Sequence, residues 1–115
     1  MDLKELKEVR FKELDKKYKP VINAYNDTVD MVNSITINDT DTIDIVICKL
    51  YIVTNTVAKT LKLLSDSNYR INNRKVNSTD ISELLCSISK SETNPIKIFA
   101  KKIFISNKKK TLKFT

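Results

Sequence analysis

The chain has 115 residues, of which 41% are hydrophobic, and a formal net charge of +7, so it is long enough for one modest core. It contains neither glycine nor histidine. The lack of glycine excludes P-loops, dinucleotide-binding fingerprints and nucleophile elbows, and the lack of histidine removes the commonest general base and metal ligand. We therefore predict a protein with no enzymatic activity, cofactor, metal site or small-molecule substrate.

No apolar run approaches the about 20 residues that cross a bilayer. The charged N-terminal sequence MDLKELKEVRFKEL lacks the apolar stretch of a signal peptide. These features predict a cytoplasmic protein without a membrane partner. Cys48 and Cys86 lie in sequence that looks buried, so we expect both to be reduced packing residues.

The first segment, residues 3–32, has the periodicity of an amphipathic helix. Its apolar residues recur at steps of three and four: Leu14, Tyr18, Val21, Tyr25 and Val29. Pro20 either kinks this helix or ends one helix and begins another. We assign residues 1–38 to a helical segment that packs on the rest of the chain or pairs two protomers, because a stripe alone does not distinguish these arrangements. A homodimer is the oligomeric state we expect.

The second segment runs to about Leu64 and predicts a single central helix. Its candidate N-caps are Asp39, Thr40 and Asp41. Its apolar stripe comprises Ile43, Val46, Ile47, Leu50, Val53, Val57, Leu61 and Leu64. Many of these residues would also suit strands, but roughly two dozen residues without Pro, Gly or a turn cluster are too many for one strand.

The C-terminal part of the chain differs from the rest in charge. Residues 69–115 contain eleven Lys or Arg and three Asp or Glu, which is +8, whereas residues 1–68 contain ten and eleven, which is −1. A neutral part joined to a basic part is typical of a module that folds at one end and binds a polyanion at the other.

Shorter elements follow within this basic part. Asn72 and Asn73 predict a turn, and residues 74–77 predict a short strand. Residues 80–88 predict a helix, with Glu83 suited to a capping box. The candidate caps of this helix are Asn77, Ser78 and Thr79. Its expected core face comprises Ile81, Leu84, Leu85 and Ile88.

After a tight polar connection, Asn94 is placed to cap a further helix, with Pro95 in the first position that proline favours. We expect Ile96, Phe99 and Ala100 to face inward. The apolar period then changes to two, as expected for a β-hairpin. Its parts are a strand at 103–105, a turn at 106–110 and a returning strand at 111–115. The residues that alternate with polar or smaller neighbours are Ile103, Ile105, Leu112 and Phe114.

The order helix, short strand, helix, tight turn, helix, hairpin resembles a winged helix-turn-helix DNA-binding domain over residues 39–115. The resemblance implies an α+β fold in which long N-terminal helices precede a winged helix-turn-helix with a C-terminal β-hairpin wing. In such a fold the helix after Asn94 enters the major groove, and the hairpin tip touches the DNA backbone. The relaxosome accessory proteins of clostridial conjugative plasmids are similar to this chain in size, composition bias and element order.

The residues expected to contact DNA are Lys90, Ser91, Thr93, Asn94, Lys97, Lys101, Lys102, Lys108, Lys109, Lys110 and Lys113. Lysines on phosphates supply affinity but little sequence discrimination. Sequence selection is therefore expected from Ser91, Glu92, Thr93, Asn94 and Lys97. The basic part has only two arginines, Arg70 and Arg74, and both precede this helix. We therefore hypothesise an A/T-rich or shape-read site.

The expected function is non-catalytic binding of duplex DNA, by a DNA-site accessory protein of a plasmid or phage or by a transcriptional regulator. One alternative is a helical protein-interaction factor, viral or phage-encoded, that blocks a host protein through residues 3–64 and carries incidental basic charge. Another is a merely solvated lysine cluster. Binding to an anionic membrane surface is less favoured, because the basic segment is expected to end in a hairpin and not in an amphipathic helix.

Overall fold

The computed structural model describes residues 2–113, with side chains through Lys109. Its elements in chain order are α1 (Leu3–Ser34), α2 (Ile43–Thr54), α3 (Val57–Ser65), β1 (Arg70–Ile71), β2 (Arg74–Lys75), α4 (Ser78–Ser87) and α5 (Pro95–Lys113). The chain forms two compact units, one up to Ser34 and the other from Ile35 onward. The structure is 72% helical, with two short strands among the described residues, so the prediction of an α+β fold is wrong.

Helix α1 forms the first unit. The Asp2 side chain accepts a hydrogen bond from the backbone N–H of Glu5 at 2.8 Å, which satisfies one of the free donors at the start of the helix. Pro20 lies inside the helix, so the chain adopts the single-helix alternative and not the division into two helices. None of the residues of α1 is buried.

The predicted single helix over residues 39–64 is wrong, because α2 and α3 are separate helices. The break occurs at Asn55, which adopts a left-handed conformation with φ 65° and whose N–H donates to the Tyr51 carbonyl. Thr56 then caps α3, since its hydroxyl accepts from the N–H of Lys59 at 3.1 Å. The Asn-Thr pair thus ends one helix and begins the next, while the apolar periodicity continues across the break.

The predicted turn at Asn72 and Asn73 is present and connects β1 to β2. Both residues have positive φ, 51° and 64°, as a two-residue hairpin turn with the right-handed strand twist requires. Arg70 pairs with Lys75 in this antiparallel hairpin. The hairpin begins at Arg70, four residues before the predicted strand.

Helix α4 begins with a reciprocal capping box. The Asn77 side chain accepts from the Asp80 N–H, and the Asp80 carboxylate accepts from the Asn77 N–H, each at 2.9 Å. Asp80 therefore takes the position that Glu83 was expected to take. Arg74 donates two hydrogen bonds of 2.7 Å to Asp80 and holds the hairpin against the helix start. The guanidinium and the Asn77 N–H lower the pKa of Asp80 to about 2.

The C-terminal β-hairpin wing is not found. Helix α5 continues from Pro95 through Lys113, across the whole expected strand and turn and into the expected returning strand. Residues 114 and 115 of that strand lie outside the described residues. No proline or glycine interrupts the sequence after Pro95, and Ala100 and Phe104 are buried on one helical face. The winged helix-turn-helix interpretation is therefore wrong.

The core of the second unit forms around α2, which packs against α3, α4 and α5. Its buried apolar residues are Val46, Ile47, Cys48, Tyr51, Ile52, Leu64, Val76, Ile81, Leu85, Ile88, Ala100 and Phe104. The rings of Tyr51 and Phe104 meet edge to face with their centroids 6.1 Å apart, which joins α2 to α5. The expected core face of α4 is thus largely confirmed, with Ile81, Leu85 and Ile88 buried.

One charged pair lies within this unit with little exposure to solvent. The Lys49 ammonium donates to the Asp41 carboxylate at 2.6 Å and to the Thr36 carbonyl at 2.8 Å. The lysine lowers the pKa of Asp41 through this hydrogen bond. These contacts fix the segment before α2 to the helix that forms the centre of the core.

The two cysteines differ in environment. Cys48 is buried, and its burial raises the pKa of the thiol to about 12, which keeps it protonated and unreactive at neutral pH. Cys86 is exposed, so the expectation that it is a buried packing residue is wrong. Among the described residues, no helix combines the length and apolar character that crossing a membrane requires.

Candidate nucleic-acid interface

Helix α5 is distinguished by its charge. It contains seven lysines and no Asp or Glu, so its charge equals the +7 of the entire chain. The other residues of the protein together are neutral. None of the ion pairs found among the described residues includes a lysine of α5. The positive charge of the protein is therefore concentrated on one helix and is not neutralised locally.

The five lysines of α5 whose side chains the structure describes form two rows. At about 100° per residue, Lys97, Lys101 and Lys108 lie along one line of the helix, and Lys102 and Lys109 lie along another. Ile98 and Ile105 lie between the rows, and they are 46% and 42% exposed. We call these five lysines and two isoleucines the α5 basic face.

The first row of lysines lies beside the end of α4. The Lys101 ammonium donates to the Cys86 carbonyl at 2.6 Å, a favourable position for a cation because helix C-termini carry partial negative charge. The Lys108 ammonium lies 3.5 Å from the Cys86 sulfur and 4.9 Å from the centroid of the Phe104 ring. These contacts hold two of the charges at fixed positions at the edge of the α5 basic face.

The residues before α5 take part in local backbone structure. The Asn94 side chain caps α5 by accepting from the N–H groups of Ile96 and Lys97, at 2.9 and 3.4 Å. Glu92 accepts from the N–H groups of Thr93 and Asn94. The side chains of Asn94 and Glu92, both expected to select sequence, are thus engaged in forming the helix start.

The remaining expected contact residues fall in two places. Lys90 and Ser91 lie in an exposed turn between α4 and α5, and the Ser91 hydroxyl is 2.6 Å from that of Ser89. Lys110 and Lys113 continue α5 and do not form a hairpin tip. The structure therefore brings Lys97, Lys101, Lys102, Lys108 and Lys109 together on one helix.

The sequence interpretation missed the two exposed isoleucines. It placed Ile105 among the alternating apolar residues of a predicted hairpin, whereas Ile98 received no position. A helical projection of residues 95–113 would have found them, because it places Ile98 and Ile105 along one line of the helix, away from the buried Ala100 and Phe104.

The two arginines of the hairpin are engaged differently. Arg74 is paired with the Asp80 carboxylate, which raises the pKa of its guanidinium further. Arg70 donates to the neutral carbonyls of Ser67 and Tyr69 and keeps its positive charge. The seven lysines of α5 therefore carry more positive charge than the hairpin does.

Within the described part of the chain, no group of three or more His, Cys, Asp or Glu residues is placed to hold a metal ion. The α5 basic face supplies ammonium groups and apolar side chains, which can bind anions and apolar groups together. No protein-family model, curated protein or solved structure matches this chain.

Proposed function

We propose that this protein binds duplex DNA without catalysis through the α5 basic face, as an accessory protein at a plasmid or phage DNA site or as a transcriptional regulator. The observation that carries the proposal is the two rows of lysines on either side of Ile98 and Ile105, on a helix without carboxylates. The binding form proposed is a homodimer in the cytoplasm.

The dimensions of α5 suit a major groove. An α-helix with its side chains is about 10–12 Å wide, and the major groove of B-DNA is about 12 Å wide. Lys97 and Lys109 are twelve residues apart, which is roughly 18 Å along the helix axis. A helix lying in the groove would present one row of lysines to each phosphate backbone, and each contact would release counterions.

The isoleucines between the rows support a preference for A·T pairs. In the major groove only thymine presents a methyl group, and apolar side chains pack against it. Lysine lacks the planar fork with which arginine reads guanine. A helix with lysines at its edges and Ile98 and Ile105 at its centre therefore suits A/T-rich duplex, in agreement with the hypothesis drawn from the sequence.

The same helix is less suited to a membrane surface. An interfacial helix inserts its apolar face into the lipid, but the apolar face of α5 contains the buried Ala100 and Phe104 and packs on α2. Among the side chains that the structure describes, only Ile98 and Ile105 are large apolar residues exposed on the lysine side of α5. Although the basic segment is helical and not a hairpin, DNA remains the better partner.

Salt-dependent titration tests the proposal. Full-length protein is titrated with a fluorescent mixed-sequence duplex at several salt concentrations, as wild type and as Lys102→Ala with Lys109→Ala. We expect the slope of log affinity against log salt to fall by about one for each lost phosphate contact. The matched control is Lys59→Ala with Lys62→Ala, which removes the same charge from exposed positions of α3. Equal effects of the two double variants would contradict the proposal.

A second titration tests the role of the isoleucines. We expect Ile98→Ala with Ile105→Ala to bring the affinities for A·T-rich and G·C-rich duplexes closer together and to leave the salt slope unchanged. Ser106→Ala, an exposed change on the same helix, is the control. A wild-type protein that prefers G·C-rich duplex would refute thymine reading, and one that binds anionic vesicles more tightly than duplex would refute DNA as the partner.

The fold reduces the surface that residues 3–64 would offer if this chain were instead a protein-interaction factor. Helix α2 is largely buried in the core, so it offers little surface to a host protein. Only α1 has a long exposed apolar stripe in this range. This alternative therefore requires a host protein that binds the exposed apolar stripe of α1.

A further inference from the structure

Helix α1 carries an apolar stripe with the spacing of a coiled coil. We call Phe11, Leu14, Tyr18, Val21, Tyr25 and Val32 the α1 seam. These residues follow one another at steps of three, four and seven, with Thr28 in the gap, as in the a and d positions of three heptads. Tyr18, Val21 and Tyr25, at the centre of the seam, are 48%, 64% and 68% exposed.

A helix with such a seam needs a partner. None of its 32 residues is buried, and helical stability in proteins comes mostly from packing of an apolar face. Its ion pairs, Arg10 with Glu13 and Lys19 with Asp15, are exposed and stabilise a helix only weakly. Pro20 weakens it further by removing one hydrogen bond.

Positive and negative charges are separated along α1, and this separation favours one kind of partner. Residues 3–20 contain seven Lys or Arg and four Asp or Glu, which is +3, whereas residues 21–34 contain Asp27 and Asp30 and no basic residue, which is −2. Two copies of this helix running in opposite directions would therefore place the positive part of each beside the negative part of the other. A parallel pair would instead place like-charged halves against each other.

We propose that a second copy of this chain covers the α1 seam and that the two helices run antiparallel, with a two-fold axis near Val21 and Ile22. This arrangement is isologous, since the same surface of each protomer forms the interface. It places Phe11 opposite Val32 of the second copy, and Tyr18 opposite Tyr25. The inference deepens the homodimer proposal but does not require the α5 basic face.

Sedimentation equilibrium of the full chain without DNA tests the pairing, so the result does not depend on DNA binding. We expect a dimer for the wild type. Val21→Glu would raise the dimer dissociation constant at least about tenfold, because a carboxylate would be buried in an apolar seam. Asn23→Glu introduces the same charge on the opposite face of α1 and would leave the constant nearly unchanged. A monomeric wild type, or equal effects of the two variants, would overturn the proposal.

Disulfide trapping tests the direction. In a Cys86→Ser background, which removes the exposed native thiol, Phe11→Cys and Val32→Cys proteins are oxidised separately and after mixing. Antiparallel pairing predicts crosslinked dimers only in the mixture. Crosslinks within each separate protein would show a parallel pair, and the absence of crosslinks in all three samples would refute pairing through the seam.

Discussion

Helices α1 and α5 are the two longest in the protein, and they are stabilised differently. Helix α5 buries one face against α2, and its exposed face carries a single sign of charge. Helix α1 buries none of its residues and carries both signs, separated along its length. The comparison teaches that tertiary packing leaves α5 with an exposed surface of one charge sign. Helix α1 instead exposes an apolar stripe, and its charge is complementary to that of a second copy running in the opposite direction.

The largest expected difference is between the loss of a phenylalanine from α5 and the loss of one from α1. Phe104→Ala should destabilise the second unit by about 3–5 kcal/mol, because it removes a buried ring and leaves a cavity. Phe104 is 7% exposed and contacts Tyr51, whereas Phe11 is 61% exposed. Phe11→Ala should leave the unfolding free energy of dilute monomer nearly unchanged. Urea denaturation followed by circular dichroism measures the unfolding free energy of both variants. Equal losses of unfolding free energy would contradict the proposed difference between α5 and α1.

A smaller effect distinguishes capping from DNA reading at the start of α5. Asn94→Ala should cost about 1 kcal/mol of stability, since its side chain accepts hydrogen bonds from the first turn. It should leave the ratio of affinities for A·T-rich and G·C-rich duplexes unchanged. Thermal denaturation and duplex titration of the same variant give the two results. A stable variant with altered sequence preference would show that Asn94 reads bases.

The smallest expected difference concerns acid sensitivity. Because the folded pKa of Asp80 is about 2, below its ordinary value of 3.8, its contribution to stability is present above about pH 4 and is lost as the pH falls toward 2. Asp80→Asn should remove this part of the acid dependence. Glu13→Gln, in an exposed pair of α1, is the control. Stability curves from pH 5 to 2 with the same slope for both variants would contradict this assignment.

Local signals in the sequence were enough to predict several elements. The start of α5 followed from Asn94 and Pro95, because a side-chain acceptor and a proline each suit a helix start independently of tertiary contacts. The asparagine turn was also predicted from local sequence, and Asn77 was one of three candidate caps of α4. The lysines of the candidate site could be named from their clustering, although their arrangement could not.

Other features had no sufficient local signal. Asn55 and Thr56 end one helix and begin another in a sequence whose apolar periodicity continues. Ile103, Phe104 and Ile105 suit a strand by propensity, yet the burial of Phe104 on a helical face against Tyr51 outweighs that preference. Propensities differ by only about 1 kcal/mol, which is less than the packing of one buried ring.

The sequence by itself determined the concentration of lysines near the C-terminus, the apolar stripe of α1 and the cap of α5, because composition, period and capping are properties of short stretches of chain. Only the tertiary structure decided that the C-terminal lysines lie on a helix and not on a hairpin. The physical reason is that α5 buries Ala100 and Phe104 against α2. That packing selects the helical period and thereby places Ile98 and Ile105 between two rows of lysines.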